Sequence, residues 1–259
     1  SLRTALRAIG PHLSRGMLVV VESTLAPRTL ETFVAPLLER SSGLTAGKDL
    51  LLAHCPERVM PGKLLANIGR LDRVIGGIDA RSARAAARLY RSIGRGRLLT
   101  TDCLTAEIVK TGENAYRDVQ IAFANEMALL CEHMGVEART VRALINSCPY
   151  RHMHLAGAGV GGHCLPKDSL LLASSVKGRF TPRLILTARR VNADMPGHVL
   201  RLLRSAFRAR GENVRGKKLC LLGLAYLENA GDTRKSPANA VIDGWKRQGG
   251  TCVVHDPLA

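Results

Sequence analysis

Short apolar runs alternate with amphipathic stretches along this chain, and the alternation changes texture twice. Residues 1–15 have a helical period. "MLVVVEST" (17–24) is a β-branched run that ends in polar residues, which predicts a buried strand. "TLETFVAPLLER" returns to a helical period. "DLLLAHCPER" predicts a second buried strand running into a loop with Pro56, Pro61 and Gly62. "RVIGGI" predicts a third strand, 80–93 an Ala/Arg-rich helix, and "RLLTTD" a fourth strand. Such an order belongs to an α/β layer.

From about residue 104 the pattern becomes helical. "TAEIVKTGENAYRDVQIAFANEMALLCEHMG" has no Pro and stops at Gly135, a left-handed C-terminal stop. Further helices are predicted over 137–146, 168–175 and 183–206. From 216 the strand–helix alternation resumes. "KKLCLLGLA" predicts a buried strand, "SPANAVIDGWKRQG" a helix capped by Ser236 with Pro237 in its first turn, and "TCVVHDP" another strand. The fold class expected is α/β, with an all-helical middle. Three segments follow from this: 1–102, 103–206 and 207–259.

The stretch "GAGVGGHCLPKDS" (157–169) contains G-x-G-x-x-G, the spacing of a dinucleotide-binding turn. Such a turn needs a strand entering the first Gly and a helix opening at the last. The preceding "PYRHMHLA" has no β-branched residue, so the spacing alone does not make that case. A loop that merely turns a corner and a loop that lets backbone approach a ligand beside Cys164 both remain open. His163, Lys167 and Asp168 flank that cysteine, and neighbouring cations make a thiol useful as a nucleophile.

Composition narrows the class. Apolar residues make up 46% of the 259, which is globular, and no apolar run reaches the length of a membrane span. The N-terminus "SLRTALRAIG" has no signal-peptide core. The seven cysteines form no C-x-x-C pair and are odd in number, which argues against a disulfide framework or zinc ribbon and for a reducing, cytoplasmic setting; no metal site is expected. The net charge of +17 suits a nucleic acid, a membrane surface or an anionic small ligand. Arginine is spread along the chain, and with one Trp, four Tyr and four Phe there is no stacking platform, so neither nucleic acid nor membrane is expected as a partner.

On the long helix, Lys110, Asn114, Arg117, Ile121 and Asn125 recur at steps of four and three and form one stripe. It reads either as a solvated face or as a donor row aimed at a polar ligand.

Together, "VVEST" (20–24), "CPERVMPGK" (55–63), "RVIGG" (73–77), "EIVKTGENAYRDVQIAFANE" (107–126), "GAGVGGHCLPKD" (157–168) and "GLAYLENAGDTRKSP" (223–237) resemble the UDP-glucose/GDP-mannose dehydrogenases, in order and spacing, over essentially the whole chain. The resemblance implies part of a Rossmann-like NAD domain, a central helical dimerisation domain and the start of a second Rossmann-like, UDP-binding domain. It implies an NAD-dependent, four-electron oxidation of a sugar C6 alcohol to a carboxylate through a cysteine-bound thiohemiacetal and thioester, in polysaccharide biosynthesis.

Carried over residue by residue, Cys164 matches the nucleophile, and Lys110 and Asn114 the pair that stabilises the oxyanion at C6. Asp168 matches the carboxylate that positions water, Glu57 the acid of the "PE" motif, and Thr24 a threonine near cofactor and water. Arg58, Arg117, Gly159, Gly161 and Gly162 fall at positions expected to contact the sugar nucleotide. Thr24, Lys167 and Arg234 are expected on the cofactor side, with NAD the cofactor and a UDP-sugar the substrate. On this reading the glycine loop presents Cys164. "PERVMPG", with Pro61 in place of a second Glu, and "GVGGHC" resemble the UDP-N-acetylhexosamine branch, such as the UDP-N-acetyl-mannosamine enzymes. UDP-glucose and UDP-N-acetylglucosamine remain alternatives.

Two departures carry expectations. The strand–GxGxxG–helix with which the family begins is not found here, so weak NAD binding by this chain alone is expected, with an inactive dimerisation module as the alternative function. Leu227 stands where the family pattern has a Lys. A homodimer through helix 104–134 is expected from its apolar Val119, Phe123, Met127 and Leu130, the alternative being that helix 183–206 covers them.

Overall fold

The computed structural model describes residues 1–59 and 64–259, with only the backbone course given for 64–66. The chain forms two compact units, one of Ser1–Glu113 with Ser174–Arg179 and one of Asn114–Ala173 with Phe180–Ala259.

The first unit is built on a four-stranded sheet in sequential order. β1 (Leu18–Val21) pairs parallel with β2 (Leu51–His54), β2 antiparallel with β3 (Arg73–Gly77), and β3 parallel with β4 (Leu98–Asp102). Each parallel pair needs a crossover. The first contains α2 (Ala35–Ser42) and the second α4 (Ala80–Arg91). Side chains alternate across the sheet. Val19, Val21 and Leu52 pack with Leu6 of α1 (Leu2–Ile9), Val34 and Leu38. Ala53, Cys55 and Ile75 pack with Ala86, Ala87 and Tyr90 of α4. Asp79 caps α4 by accepting the Ser82 N–H at 2.6 Å.

The four strands lie where the apolar runs predict them. A helix α3 (Leu64–Arg70) was not expected: its sequence, LLANIGR, is too short to show a helical period. The "TLETFVAPLLER" helix opens with a π-type turn, Leu30–Val34, ahead of α2. The loop residues Pro61 and Gly62 lie outside the described residues.

Helix α5 (Cys103–Met134) runs 32 residues and ends at Gly135, whose φ of +69° is the left-handed stop read from the sequence. In the second unit follow α6 (Ala138–Asn146), α7 (Leu165–Ser174) and α8 (Arg183–Ala209), then β5 (Lys218–Leu222), α9 (Pro237–Arg247) and β6 (Thr251–His255), with β5 and β6 parallel. Ser236 caps α9 through the Ala238 N–H, as its sequence predicts. Trp245 is fully buried, and its indole N–H donates to the Thr251 carbonyl at 3.1 Å. α7 begins three residues earlier than expected, with Pro166 accommodated in its first turn. The apolar run of β5 predicts a buried strand, but Leu222 is 77% exposed: among the described residues β5 pairs with β6 alone, in a two-stranded sheet.

Gly76 and Gly77 let the sheet and the following helices approach closely. A Cβ on Gly76 would stand 2.6 Å from the Asp102 carbonyl oxygen and 2.8 Å from Cys103 Cα, so backbone would have to move. Gly76→Ala is expected to cost roughly 1–3 kcal/mol, the usual range for overpacking. The denaturant midpoint of the two proteins checks this.

Candidate functional site

In the first unit the loops after β1 and β2 leave the same edge of the sheet, because those strands are parallel. Thr24 lies three residues past the end of β1 and Glu57 three past the end of β2, and the Glu57 N–H donates to the Glu22 carbonyl at 3.3 Å. In α/β sheets ligands bind at the carboxyl ends of strands. The Glu57 carboxylate accepts the N–H groups of Arg58 and Val59 at 2.8 and 2.9 Å and faces Arg73 Nη1 at 3.5 Å. Arg73 is buried with its guanidinium over the Tyr90 ring at 4.8 Å, and the Tyr90 hydroxyl donates to Glu22 at 2.5 Å. Arg58 donates to the Asp72 carbonyl at 3.0 Å and is ion-paired with Glu113, so this guanidinium is engaged within the unit.

Glu107, fully buried on α5, accepts the N–H of Arg28 at 2.6 Å and of Leu30 at 2.7 Å. It thereby ties down the segment that follows Thr24, where Arg28 holds a φ of +73°. Burial pushes its carboxyl up to about 7, against the two backbone bonds. His54 is also fully buried. Its Nδ1 bonds the Val21 carbonyl at 2.8 Å, and Nε2 has no hydrogen-bond partner. Burial lowers it to about 4, the bond to Val21 opposes this, and the charge of the half-buried Lys110 adds to the lowering.

In the second unit, Cys164 is exposed at the head of α7, its carbonyl accepting the N–H groups of Lys167 and Asp168 at 3.1 and 2.9 Å. Asp168 is fully buried. Its Oδ2 accepts from Asn114 Nδ2 at 2.6 Å, and its Oδ1 faces the Lys167 ammonium at 3.4 Å without a hydrogen bond. Asn114 lies one turn of α5 beyond Lys110.

No strand leads into Gly157, so the loop is not a strand–turn–helix. Its glycines are required for another reason. Gly159 and Gly162 hold φ of +126° and +83°, and a Cβ on Gly161 or Gly162 would stand 2.5 to 2.8 Å from Tyr226 side-chain atoms. The Gly162 N–H donates to the Arg234 carbonyl at 2.9 Å. Arg234 chelates Asp232, whose carboxyl it holds down at about 2. Burial raises the Tyr226 phenol, with Asp232 and then Cys164 contributing. Tyr226 and Arg234 thus reach the Cys164 loop from more than sixty positions away. Arg117 is exposed beside His154, whose lowered pKa comes from burial first and Arg117 second. Asn125, read in the same stripe, is fully buried and spent on partners within the unit, so the stripe is not one row of free donors.

The sequence matches the NAD binding domain of the UDP-glucose/GDP-mannose dehydrogenase family over residues 1–94 and the central domain of the same family over 104–194. The chain belongs to the UDP-glucose/GDP-mannose dehydrogenase family. It is 44% identical to a UDP-N-acetyl-D-mannosamine dehydrogenase of Pyrococcus horikoshii, over 93% of this chain and 57% of that protein. It is 39% identical to an NDP-N-acetyl-D-galactosaminuronic acid dehydrogenase of Ralstonia solanacearum, over 99% of this chain and 61% of that one. A solved UDP-D-ManNAc dehydrogenase from Pyrococcus horikoshii superposes with a TM-score of 0.94 at 42% identity, covering 99% of this chain and 60% of that structure. The chain therefore spans little more than half the length of the curated relatives it matches. No helix among the described residues is long and apolar enough to cross a membrane.

Sequence reading passed over Tyr226, Arg73 and Glu107. The aromatic in "GLAY" and the acid in "TAEIVK" were within the quoted motifs, but nothing in their spacing reveals what they touch.

His54 and Glu107 give stability opposite dependences on pH. His54 takes its proton below about 6.5 when unfolded and only below about 4 when folded, so its contribution is lost as pH falls through that window. Glu107 ionises above about 4.5 unfolded and about 7 folded, so its contribution is present at low pH and lost as pH rises from 4.5 to 7. Glu107→Gln is expected to unmask a fall of up to roughly 3 kcal/mol between pH 6.5 and 4. His54→Gln should show the opposite slope, and the parent should be flatter than either. Denaturant titrations from pH 4 to 7.5 measure all three.

Proposed function

We propose that this chain is the sugar-oxidising part of an NAD-dependent nucleotide-sugar 6-dehydrogenase acting on a UDP-N-acetylhexosamine, UDP-N-acetyl-mannosamine first. The observation that carries this reading is the exposed Cys164 at the head of α7, four residues before a buried Asp168 that is hydrogen-bonded to Asn114. Family membership and the substrates named for the relatives support it. The reaction turns a C6 alcohol into a carboxylate and needs two hydrides removed; NAD, when bound, accepts them.

The chain's own residues would do the rest. The Cys164 thiol adds to the C6 aldehyde, giving a thiohemiacetal; loss of hydride leaves a thioester, and water releases the uronate and restores the thiol. Lys110 and Asn114 supply donors to the oxygen that carries negative charge in each tetrahedral species. Asn114 has two amide N–H groups, of which one meets Asp168. Asp168, held by Asn114 and Lys167, positions the water. By family resemblance, Glu57, Arg58, Arg117, Gly159, Gly161 and Gly162 are the residues that would contact the sugar nucleotide. Thr24, Lys167 and Arg234 are the residues that would hold NAD. The placement of Thr24 at the carboxyl end of a parallel strand fits a dinucleotide, and Arg234, though its Nε and Nη2 are engaged by Asp232, is exposed enough to turn to an anion. Residues 1–102, 103–206 and 207–259 serve as the cofactor, central and nucleotide segments. Seven free thiols support a cytoplasmic setting.

A homodimer through α5 accompanies this reading. Asp118, Asn125 and Glu132 face α8, bonding Arg189, Asn192 and His198 respectively. Tyr116, Phe123 and Leu130 precede these by two positions each, roughly 200° around the helix, and are 66%, 54% and 48% exposed. Helix α8 therefore leaves this stripe uncovered, and a second copy of α5 would bury it.

Two experiments test the proposal. Cys164→Ala is expected to lower uronate formation from UDP-N-acetyl-mannosamine and NAD at least about a thousandfold, the scale on which enzymes lose rate with their nucleophile. A variant that kept the parent rate would refute the assignment, and UDP-N-acetylglucosamine and UDP-glucose run alongside rank the substrates. Phe123→Asp should split the dimer, since a buried unpaired charge costs several kcal/mol. A folded parent that sediments as a monomer at about 50 µM would remove the dimer.

A further inference from the structure

Asp118, Asn125 and Asn192 are fully buried polar side chains to which the chemistry above gives no part. They form one directed chain. The Gly157 N–H donates to Asn125 Oδ1 at 2.9 Å, Asn125 Nδ2 donates to Asn192 Oδ1 at 2.8 Å, and Asn192 Nδ2 donates to Asp118 Oδ1 at 2.8 Å and to the Asp118 carbonyl at 2.9 Å. Arg189 pairs with Asp118 Oδ1 at 2.6 Å, and the Ser169 hydroxyl donates to Oδ2 at 3.3 Å.

The direction of this chain is forced. A backbone N–H only donates and a carboxylate only accepts, so the two amides between them have a single orientation. Turning either one over would set like groups face to face in a buried site, where an unmatched polar group is costly. The chain also grips the Cys164 loop at both ends. Asn125 holds Gly157, where the loop begins, and Asp118 holds Ser169 on α7, five residues beyond Cys164. Between them, a Cβ on Gly159 would stand 2.9 Å from the Asn192 carbonyl oxygen, so the loop lies directly against α8.

We infer that Asn125, Asn192 and Asp118 are positioning residues for Cys164, fixing its loop through an oriented hydrogen-bond chain that terminates on the Arg189–Asp118 ion pair. Their bearing on catalysis rests on the reading of Cys164 as nucleophile; their grip on the loop does not.

The test exploits polarity. In Asn125→Asp the new carboxylate still accepts from Gly157 but faces the oxygen of Asn192. In Asn192→Asp the new carboxylate still accepts from Asn125 but sets an oxygen against Asp118 Oδ1 and the Asp118 carbonyl. Asp118→Asn is the matched control: its amide oxygen still accepts from Asn192 and Arg189 at the Oδ1 position, and its amide nitrogen donates to the Ser169 hydroxyl at the Oδ2 position. Filling space cannot distinguish these isosteric side chains. Amide hydrogen exchange over 155–165 is read by mass spectrometry, and a trifluoroacetonyl label on Cys164 by fluorine NMR, with labelled Cys220 as internal reference. Asn125→Asp and Asn192→Asp are each expected to speed loop exchange about tenfold, as for one lost hydrogen bond. Each should also broaden or split the Cys164 line while the Cys220 line stays put. Asp118→Asn should stay within about threefold of the parent. Mismatched variants that exchange like the parent, or an Asp118→Asn protein as loose as they are, would overturn the inference. If the mismatched variants do not fold, Asn125→Ala, which releases Gly157 without setting two oxygens face to face, is read in their place with the same two outcomes. Failure of the Cys164→Ala assay would remove the nucleophile and leave the exchange results standing, so the two readings fail separately.

Discussion

Burying a polar group obliges the rest of a protein to bring it a partner, and helix α5 buries several. Glu107, Thr111, Asp118 and Asn125 are all fully buried on this one helix. Thr111 satisfies itself on the Glu107 carbonyl one turn back. The other three cannot, and each recruits a distant segment: Glu107 the turn at Arg28–Leu30, Asp118 helices α7 and α8, Asn125 the start of the glycine loop. The turn, α7 and the glycine loop each carry or adjoin a candidate site residue. Left without partners, such groups would cost on the order of 1–3 kcal/mol each, so the folded chain holds these loops in place.

The two units use this constraint differently. In the first, the parallel pairing of β1 and β2 brings Thr24 and Glu57 to one sheet edge, and polar partners only trim the loops that follow. Glu57 is turned by its own backbone and by Arg73, which in turn stacks on Tyr90. In the second unit no sheet underlies the candidate nucleophile. Cys164 sits on an irregular loop whose shape comes from positive-φ glycines, the Tyr226 ring laid across them, and hydrogen bonds to α5 and to Arg234. A loop of this kind needs more fastening than a strand end does, and that is where the buried polar side chains gather.

Electrostatics follow burial in both units. Burial pushes His54 down and Glu107 up, whereas Asp232, open to solvent and chelated by Arg234, is held low. The large positive charge of the chain has little to do with these shifts, since they arise within a few ångströms of each group. Many of the arginines lie exposed along helix faces such as Arg84 and Arg88 of α4, where water screens them.

Much of this was legible in the sequence. Short apolar, β-branched runs predicted the strands β1–β4 and a long Pro-free stretch the long helix, because burial writes itself directly into residue order. Gly135 and Ser236 announced a helix end and a helix start through local backbone chemistry. The motif order identified the family and pointed to Cys164, Asp168, Lys110 and Asn114 as candidates. What residue order could not express was who meets whom. Asn114 with Asp168, Asn125 with Asn192, Glu107 with the turn at Arg28 and Tyr226 with Gly162 are pairs separated by 54 to 79 positions, and polar residues on a helix look alike whether solvent or a buried partner awaits them. The sequence therefore determined the elements and the candidate chemistry, since both depend on neighbours along the chain. The tertiary structure decided which polar side chains are spent on holding the loops and which remain for a ligand, since that depends on neighbours in space.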